Sequence, residues 1–316
     1  MKILIFSDIH ISDRGSMMRA GERLDYVNKT FDWIRQTAID EGCDLAINCG
    51  DLTSSDSLSS TENECLVKNM DKLTSIVRTR HILGNHERTD SRGLYTSIEA
   101  LEGFEDHELI RGRIQLEYID GKTFVFLPYG CEDELSEVSR ADYAFTHTEY
   151  LPKGSMFKGR DLEELKNIGI VFNGHIHDAN NFENVVIIGS ALGSNFGDNY
   201  KVAKPGIIIL DTRTNEYKRL DNPYAPLYRT INSKDEIIES EKSRTYYRVR
   251  GEVTSEDLGG SRGSVVEVES LVPDTNVSVD FDPGADMLNV LKEFYDNEPT
   301  YVKVIDKLGG KDDTRS

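Results

Sequence analysis

No apolar stretch of this 316-residue chain approaches the roughly 20 residues that span a bilayer, so a membrane protein is not expected. The opening Met1-Lys2-Ile3-Leu4-Ile5-Phe6 is apolar too briefly for a secretory signal and runs at once into Asp8. Cysteine is scarce. Cys43, Cys49, Cys65 and Cys131 show no CxxC spacing, which speaks against structural zinc or a disulfide framework and for a reduced, cytoplasmic setting. Positive charge is short as well: 37 Lys and Arg face 56 Asp and Glu, a net charge of −19, with acid in excess on both sides of residue 227. Such a chain neutralises few phosphates by itself. Any phosphate-binding surface must be local, or come from metal ions or a partner. Internal repeats and low-complexity tracts are absent too.

Histidine is rare, seven in all, and unevenly placed. Five fall in short polar segments that also carry carboxylates or an amide: Asp8-Ile9-His10, Gly84-Asn85-His86-Glu87, Thr146-His147-Thr148 and Gly174-His175-Ile176-His177; Gly50-Asp51 is a fifth segment of the same kind. A hydrophobic run precedes each: Ile3–Phe6, Leu45–Ile47, Ile82-Leu83, Tyr143–Phe145 and Ile170–Phe172. Short apolar runs ending abruptly in Gly, Asp, Asn and His read as buried strands that deliver polar side chains from their C-terminal ends. In open α/β sheets that edge is where ligands bind. The mixture of carboxylate, amide and imidazole without thiolate suits hard-to-borderline divalent ions such as manganese.

The strand-end runs alternate with helical patterns. Leu24, Val27, Phe31, Ile34 and Ala38 recur at three- and four-residue steps and stop at Gly42, after a polar loop holding Arg14, Arg19 and Arg23. A serine-rich loop (54–60) leads to a second such pattern at Leu66, Met70, Leu73 and Val77. Asp120-Gly121 marks a hairpin within 107–127. Val185–Ser190, Gly206–Asp211 and Glu216–Leu220 read as antiparallel strands closing the domain. Asn222-Pro223-Tyr224-Ala225-Pro226 is the expected boundary, since two prolines in four residues favour extended linker geometry. This predicts an α/β domain over 1–226, a mixed β-sandwich flanked by helices. A smaller α+β domain over 227–316 would follow, with strands at 246–253 and 265–269 and a helix along Met287, Leu288, Leu291, Phe294 and Tyr295.

A two-metal hydrolytic site needs ligands for two adjacent ions, one of them bridging. Asp8 and His10, two apart as a strand ends, can both turn to one ion; Asp51 is the natural bridge; Asn85 adds a neutral oxygen; His175 and His177 can each reach an ion. The ordered set resembles the calcineurin-like metallophosphoesterase superfamily, whose pattern is D-x-H, GD, GNH(D/E), H and GH-x-H, over roughly the first 200 residues. The resemblance implies one ion with Asp8, His10, His177 and Asp51. The other would lie with Asp51, Asn85, His147 and His175, and His86 would be the catalytic acid near the phosphoryl group.

Within that superfamily the chain looks most like the nuclease subunits of DNA double-strand-break repair complexes of the SbcCD type and their phage counterparts. The stretches Ile188-Gly189-Ser190 to Phe196-Gly197-Asp198, Pro205 to Asp211 and Asn222-Pro223-Tyr224 carry this likeness. It implies a manganese-dependent DNA exonuclease and endonuclease (magnesium being the alternative ion) in the cytoplasm, or the host's for a phage protein. It also implies a coiled-coil ATPase partner and a homodimer, with residues 227–316 capping the cleft. The region after residue 226 is shorter than in many members, which leaves the ATPase-docking element open.

Each residue also has a plainer reading. Asp8 and His10 alone would be a strand-end hydrogen-bonded pair, and His147 alone a satisfied core histidine. His81 and His107 match no motif and are expected to be structural. Arg14, Arg19, Arg88 and Arg92 follow the ligand motifs and can touch phosphates, but such arginines are more often solvated or paired with local carboxylates. The apolar stripe 287–295 reads as small-domain core before it reads as a partner groove. A phosphomonoesterase or protein phosphatase would use the same metals and suits the acidic surface better. A catalytically silent scaffold has no need of His86.

Overall fold

Strand β1 (Lys2–Phe6) shows how this chain builds layers: Leu4 and Phe6 point to one side of the sheet and Ile3 and Ile5 to the other, all four fully buried. A strand apolar on both faces must be covered on both. The computed structural model describes residues 1–91, 93–153, 158–198 and 203–266. In it, β1 lies inside a six-stranded sheet with β2 (Leu45–Asn48), β3 (Arg78–Ile82), β4 (His107–Ile110), β13 (Gly206–Asp211) and β14 (Glu216–Asp221), in the order β14-β13-β1-β2-β3-β4. β1 to β4 run parallel, and β13 and β14 add antiparallel strands at one side.

A second six-stranded sheet holds β5 (Gln115–Ile119), β6 (Lys122–Leu127), β7 (Ala141–Thr146), β10 (Ile168–Asn173), β11 (Asn180–Phe182) and β12 (Val185–Ile187), in the order β11-β12-β10-β7-β6-β5. Its β5–β6 hairpin turns at Asp120-Gly121, where both residues have positive φ (50° and 76°), as a two-residue hairpin loop requires. β8 (Tyr150–Leu151) and β9 (Arg160–Asp161) form a small separate ladder.

Three apolar layers result. Between the sheets, Ile3, Ile5, Ile47, Ile208 and Leu210 meet Phe124, Phe126, Phe145 and Phe172, whose rings stack in sequence. Each such fully buried side chain is worth about 1.5–3 kcal/mol of transfer free energy. Outside the first sheet lie helices α1 (Glu22–Glu41) and α2 (Ser60–Thr74), which contribute Val27, Phe31, Ile34, Leu66, Met70 and Leu73. α1 ends at Gly42 in the left-handed region (φ 63°), as the sequence predicts. α2 starts with a capping box, Ser59 Oγ accepting the Glu62 amide while the Glu62 carboxylate accepts that of Ser59. Outside the second sheet, Leu135, Tyr150 and Leu165 cover Val125, Ala144 and Val171. This is the expected mixed sandwich with helices outside.

Two details differ from the sequence reading. Val185–Ile187 does not join the closing antiparallel strands: it pairs parallel with β10 in the second sheet, while β13 and β14 close the first. Hydrophobic runs report burial, not partner or direction, so the two sheets are not separable there. Helix α1 also begins earlier than its apolar pattern, taking in Arg23 as a buried residue.

After the 222–226 segment the chain makes a third sheet of three parallel strands, β15 (Leu227–Ser233), β16 (Thr245–Glu252) and β17 (Gly263–Val266), around Ile231, Tyr247, Val249 and Leu258. It contacts the first helix and its approach: Arg262 pairs with Glu22, and Tyr228 OH donates to the Ser16 carbonyl at 3.0 Å. Met1–Val268 groups as one unit and Glu269–Ser316 as a second. The second unit, with the expected strand end at 269 and the 287–295 helix, lies outside the described residues. Among the described residues no helix is long and apolar enough to cross a membrane, and the four cysteines are unpaired.

Candidate metal centre

All eight motif residues arrive at one edge because the strands that carry them run parallel. β1, β2 and β3 end in Asp8 and His10, in Asp51, and in Asn85 and His86; β7 and β10 of the other sheet end in His147 and in His175 and His177. The loops are laced together by backbone bonds. Asp8 N–H donates to the Gly50 carbonyl and His10 N–H to that of Asp51, both at 3.1 Å, and Gly174 N–H donates to the Thr146 carbonyl at 2.9 Å. Asp8, His10, Asp51 and His175 all have φ between 52° and 72°. That left-handed region is uncommon for residues with a Cβ and stores about 1–3 kcal/mol at each position. Glycine is required beside them: a Cβ on Gly50 would strike the His147 ring, and one on Gly84 the Asp51 carboxylate.

Each carboxylate has one oxygen tied to the backbone and one left for the cluster. Asp8 Oδ2 accepts the His175 amide at 3.1 Å, while Oδ1 is buried with no hydrogen-bond partner, 3.7 Å from both His10 Nε2 and His177 Nε2. Asp51 Oδ1 accepts the His86 amide at 3.0 Å. Its Oδ2 lies 3.2 Å from His147 Nε2 and 3.8 Å from both His10 Nε2 and His86 Nε2. Asn85 Oδ1 sits between His147 Nε2 (3.1 Å) and His175 Nδ1 (3.0 Å).

Asp8, His10 and His177 thus form one convergent group and Asp51, His147 and His175 another, each with ligand atoms within 4.8 Å of one another. Asp51 also reaches His10 and His86. The sequence reading put Asp51 with both groups and His86 with neither; here His10, Asp51 and His86 make a third group of the same kind. His10 Nε2 and His177 Nε2 face each other at 3.0 Å, and a buried carboxylate oxygen stands orphaned beside them. Imidazole nitrogens and a carboxylate oxygen converging on a common centre fit a cation, which takes the place of the ring protons when it binds. The residues fit a pair of divalent ions.

The outer contacts fix which nitrogen is offered. His147 Nδ1–H donates to the Cys49 carbonyl at 2.6 Å, and His177 Nδ1–H to Asp198 Oδ1 at 2.7 Å, leaving Nε2 of each for the cluster. His86 Nδ1–H donates to the Ser54 carbonyl at 2.9 Å; its ring is the most exposed of the set at 43%.

Electrostatics follow the geometry. Burial pushes the Asp8 and Asp51 carboxyls up, but the surrounding imidazoles outweigh it and hold both below the ordinary range. Burial likewise lowers His147 and His177, yet Asp51 and Asp8 lift the first to about 10, and Asp198 with Asp8 lifts the second to about 9. His175, where burial and neighbouring His147 prevail, falls to about 4.

Three contributors carry no role in the sequence reading. Asp198 holds His177. Buried Glu87, quoted only as part of Gly-Asn-His-Glu, accepts the amides of Leu52, Thr53 (3.3 Å) and Gly84 (2.9 Å), tying the Asp51 loop to the Asn85 loop. Arg23 donates to the carbonyls of Ile9 and His10. Their only sequence signal is a charged residue among buried neighbours. His81 and His107 belong to neither ligand group. Of the arginines, Arg14 is 94% exposed, and Arg88 lies over the Tyr129 ring with its guanidinium bonded to carbonyls of its own loop. Arg92 lies outside the described residues.

Among solved structures the chain is similar to an archaeal phosphodiesterase (17% identity, covering 70% of this chain and 99% of that one, TM-score 0.39). It is similar also to a protein of Thermus thermophilus (12%, 70% and 98%, 0.47) and to Yfce, a phosphoesterase from E. coli (13%, 70% and 98%, 0.36). Comparison with curated proteins gives no match. The calcineurin-like phosphoesterase model matches residues 1–179, more than half of the chain and every ligand position found here. The chain belongs to the calcineurin-like phosphoesterase family.

Proposed function

We propose that this chain is a DNA phosphodiesterase, a nuclease that hydrolyses backbone esters near DNA ends with two manganese ions. One observation carries the reading: Asp51 stands in one convergent ligand group with His147 and His175 and in another with His10 and the half-exposed His86, and His10 belongs also to the group of Asp8 and His177. Bound ions would supply Lewis acidity toward phosphoryl oxygens and lower the pKa of water. The chain's own part is to hold and orient. Asp8, His10 and His177 would carry one ion, Asn85, His147 and His175 the other, and Asp51 both. His86, turned by the Ser54 carbonyl, presents Nε2 to a phosphoryl or leaving oxygen as hydrogen-bond donor or acid.

The choice of DNA rests on the likeness to repair nucleases. Net charge −19 supports its corollary, that a duplex is gripped by a partner with more basic surface. That partner is a coiled-coil ATPase docked through the region after residue 226, in a dimeric complex. The same charge favours a second reading, a phosphomonoesterase acting on small substrates. Turnover of linear duplex DNA, short single strands and a nitrophenyl monoester with Mn2+ separates the two. Hydrolysis of DNA over the monoester supports the nuclease; efficient turnover of the monoester alone overturns it.

A further inference from the structure

We infer that Asp198 is a positioning residue for one half of the centre: it fixes the proton on His177 Nδ1, so that Nε2 is available to an ion. The inference rests on the two-ion reading above. Asp198 is buried, its side chain 4% exposed, and both its oxygens are engaged. Oδ1 accepts from His177 Nδ1 at 2.7 Å; Oδ2 accepts the amides of Ser194 (2.7 Å) and Asn195 (3.1 Å). Arg23, itself 2% exposed, ties that loop to the ligand strand. It donates to Gly193 O at 3.0 Å and Ser194 Oγ at 3.4 Å on one side, and to Ile9 O and His10 O, both at 3.1 Å, on the other. His10 and His177 are therefore braced through one buried arginine–carboxylate assembly. In the other half His147 is oriented instead by a backbone carbonyl, which no side-chain substitution removes.

The brace makes a sharp prediction because, among the described residues, Asp198 accepts from three donors. Asparagine at this position has one acceptor and one amino group. Two fixed backbone amides claim the oxygen, which turns the amino group toward His177 Nδ1. The ring must then accept there and carry its proton on Nε2, the nitrogen an ion needs. A residue that only caps the 194–195 loop would show none of this, since asparagine preserves that cap.

The test uses the full chain, titrated with Mn2+ and followed by calorimetry and by the spin-coupled electron paramagnetic resonance signal of a manganese pair. Asp198→Asn is expected to weaken one of two ions about 10- to 100-fold and leave the other unchanged. Nitrogen-15 spectra of the metal-free protein at alkaline pH, where the ring is neutral, should show the His177 proton moved from Nδ1 to Nε2. Asp198→Ser, which keeps a hydroxyl for the loop but withdraws the carboxylate, is expected to weaken the same ion and serves if asparagine is not tolerated. Two ions held with wild-type affinity in both variants overturn the inference. A wild type that binds no manganese overturns the two-ion reading instead, and the nitrogen spectra then decide the role of Asp198 alone.

Discussion

His107 inside the first sheet and His147 and His177 at the ligand edge put the same ring into opposite settings. His107, on β4, is enclosed in the sheet, and burial with His81 nearby pushes it down to about 3. At the edge burial acts in the same direction, yet His147 and His177 rise to about 10 and 9, since each faces carboxylates held by the fold. Backbone conformation divides the same way. His10 and His175 lie in the left-handed region with Asp8 and Asp51, whereas His81 and His107 sit in regular strands. Burial is therefore common to both regions and decides nothing by itself. Four strained residues and two buried carboxylates are gathered where cations are wanted, and such gatherings mark functional sites.

Removing the shared carboxylate should break this contrast most completely. Asp51→Asn withdraws the charge that faces His147 in one half and His10 in the other while nearly preserving shape, so both ions should be lost together and hydrolysis should fall to background. Metal analysis of the purified variant checks it; two tightly held ions would show that Asp51 does not bridge.

His86 sharpens the comparison within the edge, because it is half-exposed and its outer nitrogen rests on a carbonyl. His86→Ser is expected to lower turnover roughly 100- to 10,000-fold, the usual range for a lost general acid, with metal content near normal. Loss of an ion from this variant would move His86 into the ligand shell.

The two regions are not equally legible in the sequence. Each edge segment follows an apolar run within a few residues, so local pattern alone places Asp8, Asp51, Asn85, His147 and His175 near strand ends. What hides is long-range and side-chain specific. Asp198 reaches His177 from 21 positions away in a turn without apolar lead-in, and Arg23 looks like one more loop arginine until α1 is seen to bury it. Glu87 is adjacent to a ligand, yet its partners Leu52 and Thr53 lie on another strand's loop. The assignment of β12 to the second sheet is hidden for the related reason that pairing partners leave no mark on a three-residue run.

The raised values at His147 and His177 give a third prediction. A group whose pKa is lifted to about 9 or 10 carries its proton at neutral pH, and a metal ion needs that lone pair. Manganese binding at pH 7 should therefore release about one to two protons per chain. Apparent affinity should rise up to about tenfold per pH unit for each proton released, levelling near pH 9 to 10. His175, already neutral, should contribute none. Calorimetry in buffers of different ionisation enthalpy counts the protons, and a count of zero would remove the electrostatic distinction drawn above.

The smallest expected effect lies in the interior pair and concerns stability alone. His107 has a folded pKa near 3 against an ordinary 6.5, so the unfolded chain binds the proton first as pH falls. The sign follows: above about pH 6.5 both states are neutral and the ring has no pH-dependent effect, whereas below it the folded state loses ground until pH 3. At pH 4.5 that loss is about 2–3 kcal/mol. His107→Leu removes the titrating group from a buried position, so the variant should lose less stability than wild type between pH 7 and 4.5. Manganese binding and turnover at pH 7 should be unaltered, because His107 belongs to neither ligand group. Urea unfolding at the two pH values measures the difference. Parallel acid sensitivity in the two proteins would show that burial does not hold His107 neutral, and the interior half of the comparison would fail.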